Sequence, residues 1–402
     1  MTGTSRVRLL LTIALAWAMS ECSNSNPTGV HALPPKSLVA NPADTSVRQG
    51  YSYQIRAVAR DSLGNSVSTQ LSYAAVDTGI VSVGNAGLVT GKKIGQTSIK
   101  ISVDSLSIYT LVSVRDSNVI ARIPWANAPY GVATSSTGVV YVAPILGPAV
   151  RRIDMSTFAF SDSIQVGGNP AQVAFAGSAK VLVTKRASGS VGIIDVATHT
   201  QTDTIAIPGG PYPIRISSDG ATAYVTSTAG WLYKIDIASK SLIDSVSAPD
   251  PALQLALGPG DSLLFVSREF ADTVTEIRTS TMAVVRNFVA GGTPQGLAVA
   301  ADGSELYVAN EGGQLQIWSL SSGTVVASVV TGGGTFGVSL TPDGTKLYVG
   351  TTTGSIFLVD RATRAIIHQI SVGGTPRNIA VDPVTGYAIV PNEASNWVDI
   401  VK

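Results

Sequence analysis

The chain has little with which to cross-link itself or to hold a metal ion. Cys22 is the single cysteine in 402 residues, so no disulfide can form within the chain. The three histidines, His31, His199 and His368, have no partner at metal-ligand spacing and read as surface residues. Charge is sparse too: 13% of residues are charged, the formal net charge is +1, and lysines and arginines are scattered singly. Counterion-release binding needs a clustered basic face, so neither nucleic acid nor an anionic membrane surface is an expected partner. No G-x-S-x-G elbow, calcium loop or phosphate-cradling loop is present, which leaves no catalytic residue, metal or cofactor to assign from motifs. Hydrophobic residues make up 45% of the chain, enough apolar material for two β domains.

Arg6 and Arg8 precede an apolar run at residues 9–19 that is too short to span a bilayer, the pattern of a secretory signal over residues 1–21. Export to the cell envelope is therefore expected. Cys22 stands directly after that segment and resembles the lipidation cysteine of bacterial lipoproteins, although Glu21 and Met19 stand where that motif usually has a small residue and leucine. The other reading is cleavage after Ala18, using Ala16-Trp17-Ala18 as the small-x-small site and leaving Cys22 as a thiol. A lone cysteine at this place is otherwise hard to explain in an exported protein, which favours lipidation. Residues 22–36, rich in Ser, Asn and Pro, read as a flexible tether. The expected membrane contact is then a lipid anchor alone, with Ser23 favouring the outer membrane, and with the periplasm or cell surface as the other locations.

What the sequence has in abundance is repetition. Residues 291–308, GGTPQGLAVAADGSELYV, return in variant form about every 41 residues, the signature of a repeat array. Each unit reads as a hairpin turning at a pair such as Asp302-Gly303, followed by two more alternating strands. The second-strand pair appears as Tyr141-Val142, Leu182-Val183, Tyr224-Val225, Phe265-Val266, Tyr307-Val308, Tyr348-Val349 and Ile389-Val390. The first strand opens at Pro129, Pro170, Pro213, Pro294 and Pro376, with Ala252 and Thr335 in the other two units. The last unit stops after its third strand, and residues 118–125 supply a stretch that aligns with the fourth-strand segment 366–372. A ring closed by its own N-terminal strand follows, which removes the open seam.

These units resemble the YVTN-type β-propeller repeat, P-x-G-V-A-V-x-P-D-G-x-x-L-Y-V-x-N followed by V-x-V-I-D, most closely at residues 294–310 and 336–350. The resemblance implies an all-β chain with a β-propeller, and the seven aligned copies make it seven-bladed over residues 116–402. It is nearly silent on function, since such propellers serve as binding modules, surface proteins and, less often, enzymes. Residues 37–115 differ: short alternating strands and turns read as a β-sandwich. The turn Asn85-Ala86-Gly87 leading into Leu88-Val89, and Gly95 before strand 97–101, look like a bacterial Ig-like domain of group two, with Tyr73 where that family often has Trp. That resemblance implies a stalk or adhesion module more than a catalyst.

Asp154, Asp195, Asp236 and Asp360 recur at one column, each before a turn whose amides an aspartate can bind, and are expected to be structural. In a propeller the loops from fourth to first strands and from second to third strands share one face around the channel. Residues there that depart from small or neutral ones in sister units are Trp125, Tyr130, Lys185, Arg186, Tyr212, Arg215, Arg268, Glu269, Phe336, Arg377, Asn392 and Glu393. Tyr130, Arg215, Arg268, Phe336 and Arg377 are the expected binding residues, because arginines and aromatics make the commonest anchors. A mixed cationic and aromatic mouth suits an anionic or sugar-like group. The expected function is an exported cell-envelope binding or scaffold protein with a protein or glycan ligand. The alternatives are a propeller enzyme (lyase, hydrolase or oxidoreductase) working at the channel face, and a structural surface-layer component.

The mature chain is expected to begin at Cys22 with lipid attached, and Cys22→Ser to release it from membranes. An intact mass showing an unmodified chain that begins at Met19 would exclude this.

Overall fold

The computed structural model describes residues 33–42, 44–248 and 252–402. The expected signal segment, Cys22, His31 and most of the tether lie outside the described residues. Among those residues, seven four-stranded sheets follow one another between residues 119 and 401. In the unit that set the repeat, Pro294–Val299, Glu305–Asn310, Gln314–Ser319 and Thr324–Val330 pair in order, all antiparallel. The second strand is buried along Leu306, Tyr307, Val308 and Ala309, so it reads as a continuous apolar run, whereas the fourth strand is largely exposed. Gly296 is dictated by the tight approach of neighbouring first strands: a Cβ there would sit 2.2 Å from the carbonyl oxygen of Phe336.

Both faces of every sheet are apolar, and each is covered by the next sheet. Leu182, Ile193 and Ile205 of the second sheet pack with Ile214, Val225 and Ile235 of the third, and the same kind of core recurs around the array. The seventh sheet takes its outer strand from the start of the array: Val119–Pro124 runs antiparallel to Trp397–Val401. Val119 enters the core between the sixth and seventh sheets with Ile370 and Val401, and Ile123 the core between the seventh and first with Val142 and Ile400. Arg122 fastens the join. Its Nε and Nη2 meet the Asp399 carboxylate at 2.8 and 2.9 Å, Nη2 also donates to the Val372 carbonyl at 2.7 Å, and the guanidinium lies 3.9 Å over the Trp397 ring. Asp399 is fully buried, and burial pushes its carboxyl up against the opposing pull of Arg122.

Residues 37–115 build three sheets of their own, two of three strands and one of four. The largest places Asp44–Arg48 parallel to Leu106–Arg115, which pairs in turn with Gly95–Val103, and that strand with Ser72–Ala75. Ile55, Val81, Val89, Ile99, Ile101 and Val112 form its core, with Tyr73 packed on the edge.

The opening residue of the third unit is Pro211 and not Pro213. Pro211 pairs with Ser227 and Ile214 with Val225, as Pro294 pairs with Asn310 and Leu297 with Val308. Both prolines have an isoleucine three residues on, so the pattern fits either register; the core admits Ile214, which is fully buried, and leaves Ile216 at its edge. The column of aspartates binds turn amides as expected. Asp195 Oδ1, for example, accepts from the backbone N–H of Ala197 and Thr198 at 3.0 and 2.7 Å, and those bonds hold its carboxyl below the usual range.

Arg122→Met would leave Asp399 buried without its ion-pair partner, with only the more distant Arg115 opposing its charge, at a cost of about 3–5 kcal/mol in urea unfolding. The difference from the parent should shrink as pH falls through the raised pKa of Asp399, because a neutral carboxyl needs no partner. Deleting residues 395–402 removes the fully buried Val398, Ile400 and Val401, each worth roughly 1.5–3 kcal/mol. A truncated chain that melts like the full one would rule out this closure.

Candidate functional site

The first strands of the seven sheets surround the axis, and the corrected register shows which columns face it. One residue past the opener stand Tyr130, Ala171, Tyr212, Leu253, Gln295, Phe336 and Arg377; two past it stand Gly131, Gln172, Pro213, Gln254, Gly296, Gly337 and Asn378. Three long amides therefore occupy a column that otherwise holds glycine or proline. They meet across the axis. Gln254 Nε2 donates to Asn378 Oδ1 at 2.5 Å and Gln172 Nε2 to the same oxygen at 3.1 Å, joining the second, fourth and seventh sheets. Arg215 Nη2 donates to Gln254 Oε1 at 3.1 Å.

This chain of bonds fixes its own orientation. A guanidinium can only donate, so the Gln254 atom it meets is the oxygen; the other Gln254 atom is then the donor, and the Asn378 atom it meets is the acceptor. Asn378 Nδ2 is thereby turned away from the lock. It is buried and faces the Tyr130 hydroxyl without reaching hydrogen-bond geometry.

Above the lock, Tyr212 donates its hydroxyl to that of Tyr130, and the rings lie 5.7 Å apart. They come from the first and third sheets and meet over Ala171, whose side chain is too short to separate them. Burial raises the pKa of both hydroxyls, so the pair stays protonated at neutral pH. Arg377 stacks 4.1 Å over the Phe336 ring and its Nε reaches Glu393 at 3.0 Å, while Arg186 lies 4.8 Å over Tyr212. Gln295 donates to Glu311. Glu269 has its carboxyl pushed up, by burial first and then by Glu311, with Arg377 opposing.

A family described as YNCE-like beta-propeller matches residues 129–251. The array is a β-propeller. Among solved structures, a chain from Kuenenia stuttgartiensis hydrazine synthase has a TM-score of 0.63 at 18% identity, covering 69% of this chain and 96% of that one. At that identity the likeness carries the fold alone. No curated protein matches the chain.

The propeller gathers Tyr130, Phe336 and Arg377 at one mouth, with Arg268 at a second-strand end beside Glu269. The aromatic rings are not open platforms: Tyr130 is 6% and Phe336 5% exposed, so they form a bed under Tyr212 and Arg377. Arg215 is not at this mouth. It lies four residues past Pro211, on the far side of the lock, beside the turn Pro259–Asp261. Three other residues expected at the mouth are structural. Lys185 is buried with Nζ 3.3 Å from Gln201 Oε1, and Trp125 is buried edge-on to Phe160. Asn392 is fully buried, with its Oδ1 accepting from Thr375 N at 2.7 Å. Reading the sequence missed Gln172, Gln254, Asn378, Gln295 and Glu311, although the three lock amides stand out once the openers are correctly aligned.

A groove of about 920 Å³ lies elsewhere, between the fifth and sixth blades. Its charges are spent on one another: Arg361 meets Asp302 at 2.9 Å and Glu305 at 3.1 Å, and Arg364 meets Glu305. We read it as a blade-to-blade clasp. Among the described residues, no group of three or more His, Cys, Asp or Glu could hold a metal ion.

Gln254→Leu removes both the acceptor of Arg215 and a donor to Asn378, and should cost about 1–3 kcal/mol in urea unfolding. Gln172→Leu should cost less, because Asn378 keeps Gln254. Equal and negligible effects of the two would remove the lock from the account of the channel.

Proposed function

We propose that this chain is an exported cell-envelope protein whose seven-bladed YVTN-type propeller, carried behind a bacterial Ig-like domain, binds a glycan at the channel mouth. The observation that carries this reading is the charge balance of the mouth above the tyrosine pair and the amide lock. Arg186, Arg268 and Arg377 share the mouth with Glu269, Glu311 and Glu393, so equal numbers of donor and acceptor groups are gathered there with no net charge. Such a rim serves a neutral polyhydroxyl group, which offers both donors and acceptors, better than it serves an anion. Tyr130 and Phe336 act beneath the surface by holding Tyr212 and Arg377 in place.

The export reading is supported by the basic and apolar N-terminal segment followed by Cys22. The stalk reading is supported by the separate all-β unit at residues 37–115 with its own core. A protein ligand presenting a polar loop is the remaining occupant of the same mouth.

Binding of the full chain to peptidoglycan fragments and envelope glycans on an array should weaken about tenfold in Arg377→Ala and in Glu393→Gln, with the melting temperature unchanged. Binding that survives both, and is lost when surface residues of the 37–115 unit are changed, would move the function to that unit.

A further inference from the structure

The channel has a second compartment, beyond the lock from the mouth. An open cleft of about 490 Å³ is lined by Ala256, Ala298, Val299 and Ala300, with Ser218 and Asp261 also in its lining and Arg215 entering it from the third blade. That volume falls within the roughly 300–1,000 Å³ of small-molecule sites. Sister blades carry Ala133, Ala174, Ala256, Ala298, Ser339 and Ala380 at the Arg215 position. Nothing in the repeat therefore calls for a cation there.

Arg215 is also poorly compensated. Its guanidinium has five N–H donors and meets two neutral acceptors, the Ile214 carbonyl at 2.9 Å and Gln254 Oε1 at 3.1 Å. Among the described residues it forms no ion pair, whereas Arg122, Arg152, Arg286, Arg361, Arg364 and Arg377 of the other blades do. Asp261 lines the rim of the cavity, but its Oδ2 is taken by the N–H and hydroxyl of Ser218, both at 2.6 Å. Burial lowers the guanidinium pKa to about 10, which leaves it charged at neutral pH. A half-buried cation that forms no ion pair, at the end of a mainly apolar cleft, is the complement of an anion with an apolar tail.

We propose that this compartment binds a small monocarboxylate, its carboxylate paired with Arg215 and its hydrocarbon part against Ala256, Ala298 and Val299. The small residues at these positions leave the room the tail needs. The site is separate from the glycan mouth: the lock stands between them, and neither requires the other to be filled.

Titration calorimetry of the full chain with hexanoate and benzoate, and with the uncharged hexanamide and benzamide, tests this. At least one acid should bind, and its amide at least about tenfold more weakly, because the amide cannot neutralise Arg215. Arg215→Met keeps the apolar stem and should weaken the acid by a similar factor. Ala298→Leu fills the cavity and should also abolish binding, while Arg377→Ala at the mouth should leave it intact. If Arg215→Met fails to fold, the acid-to-amide contrast and Ala298→Leu decide. Acid and amide binding alike, neither acid binding, or an acid bound equally by Ala298→Leu would overturn the proposal.

Discussion

A β-sheet with two apolar faces is unstable until both are covered, and that requirement governs the whole array. Each blade buries its second and third strands on both sides, as Leu306 to Ala309 illustrate, so each needs a neighbour to the left and to the right. A row of such sheets always leaves two uncovered faces at its ends. A ring leaves none. The strand Val119–Pro124 completes the seventh blade and places Val119 in one inter-blade core and Ile123 in the next. The Arg122–Asp399 pair then sits where the two ends of the array, distant in sequence, are held side by side.

Closure also creates the channel, and the channel explains why a few positions escape the repeat. Neighbouring first strands approach closely enough that a glycine such as Gly296 is required at the column facing them. Where that column instead carries Gln172, Gln254 and Asn378, the side chains extend to the axis and satisfy one another across it. Once the axis is bridged, the two ends of the channel become separate compartments with different chemistry. One has paired arginines and glutamates over buried aromatic rings; the other has alanine walls and a lone arginine. Among the described residues, those of the 37–115 unit do not line the Arg215 compartment.

The repeat was legible in the sequence because hydrophobic periodicity records burial directly: seven apolar second strands, seven turns and one displaced fourth strand can be aligned without coordinates. Turn aspartates were legible for the same reason, since their partners lie two or three residues away. The register of the third blade was not, because Pro211 and Pro213 are each followed by isoleucine at the same spacing and only packing against the second blade selects Ile214. Long-range contacts were equally hidden. Gln254 and Asn378 are 124 residues apart and come from opposite sides of the ring, so their bond exists only once the ring is closed. Burial of Lys185, Trp125 and Asn392, and the displacement of Arg215 from the mouth to the far compartment, follow from the same cause. The sequence by itself determined the repeat and the four-strand pattern of its units, because those depend on local pattern; tertiary structure alone decided which side chains share a compartment, because that depends on how distant strands are brought around one axis.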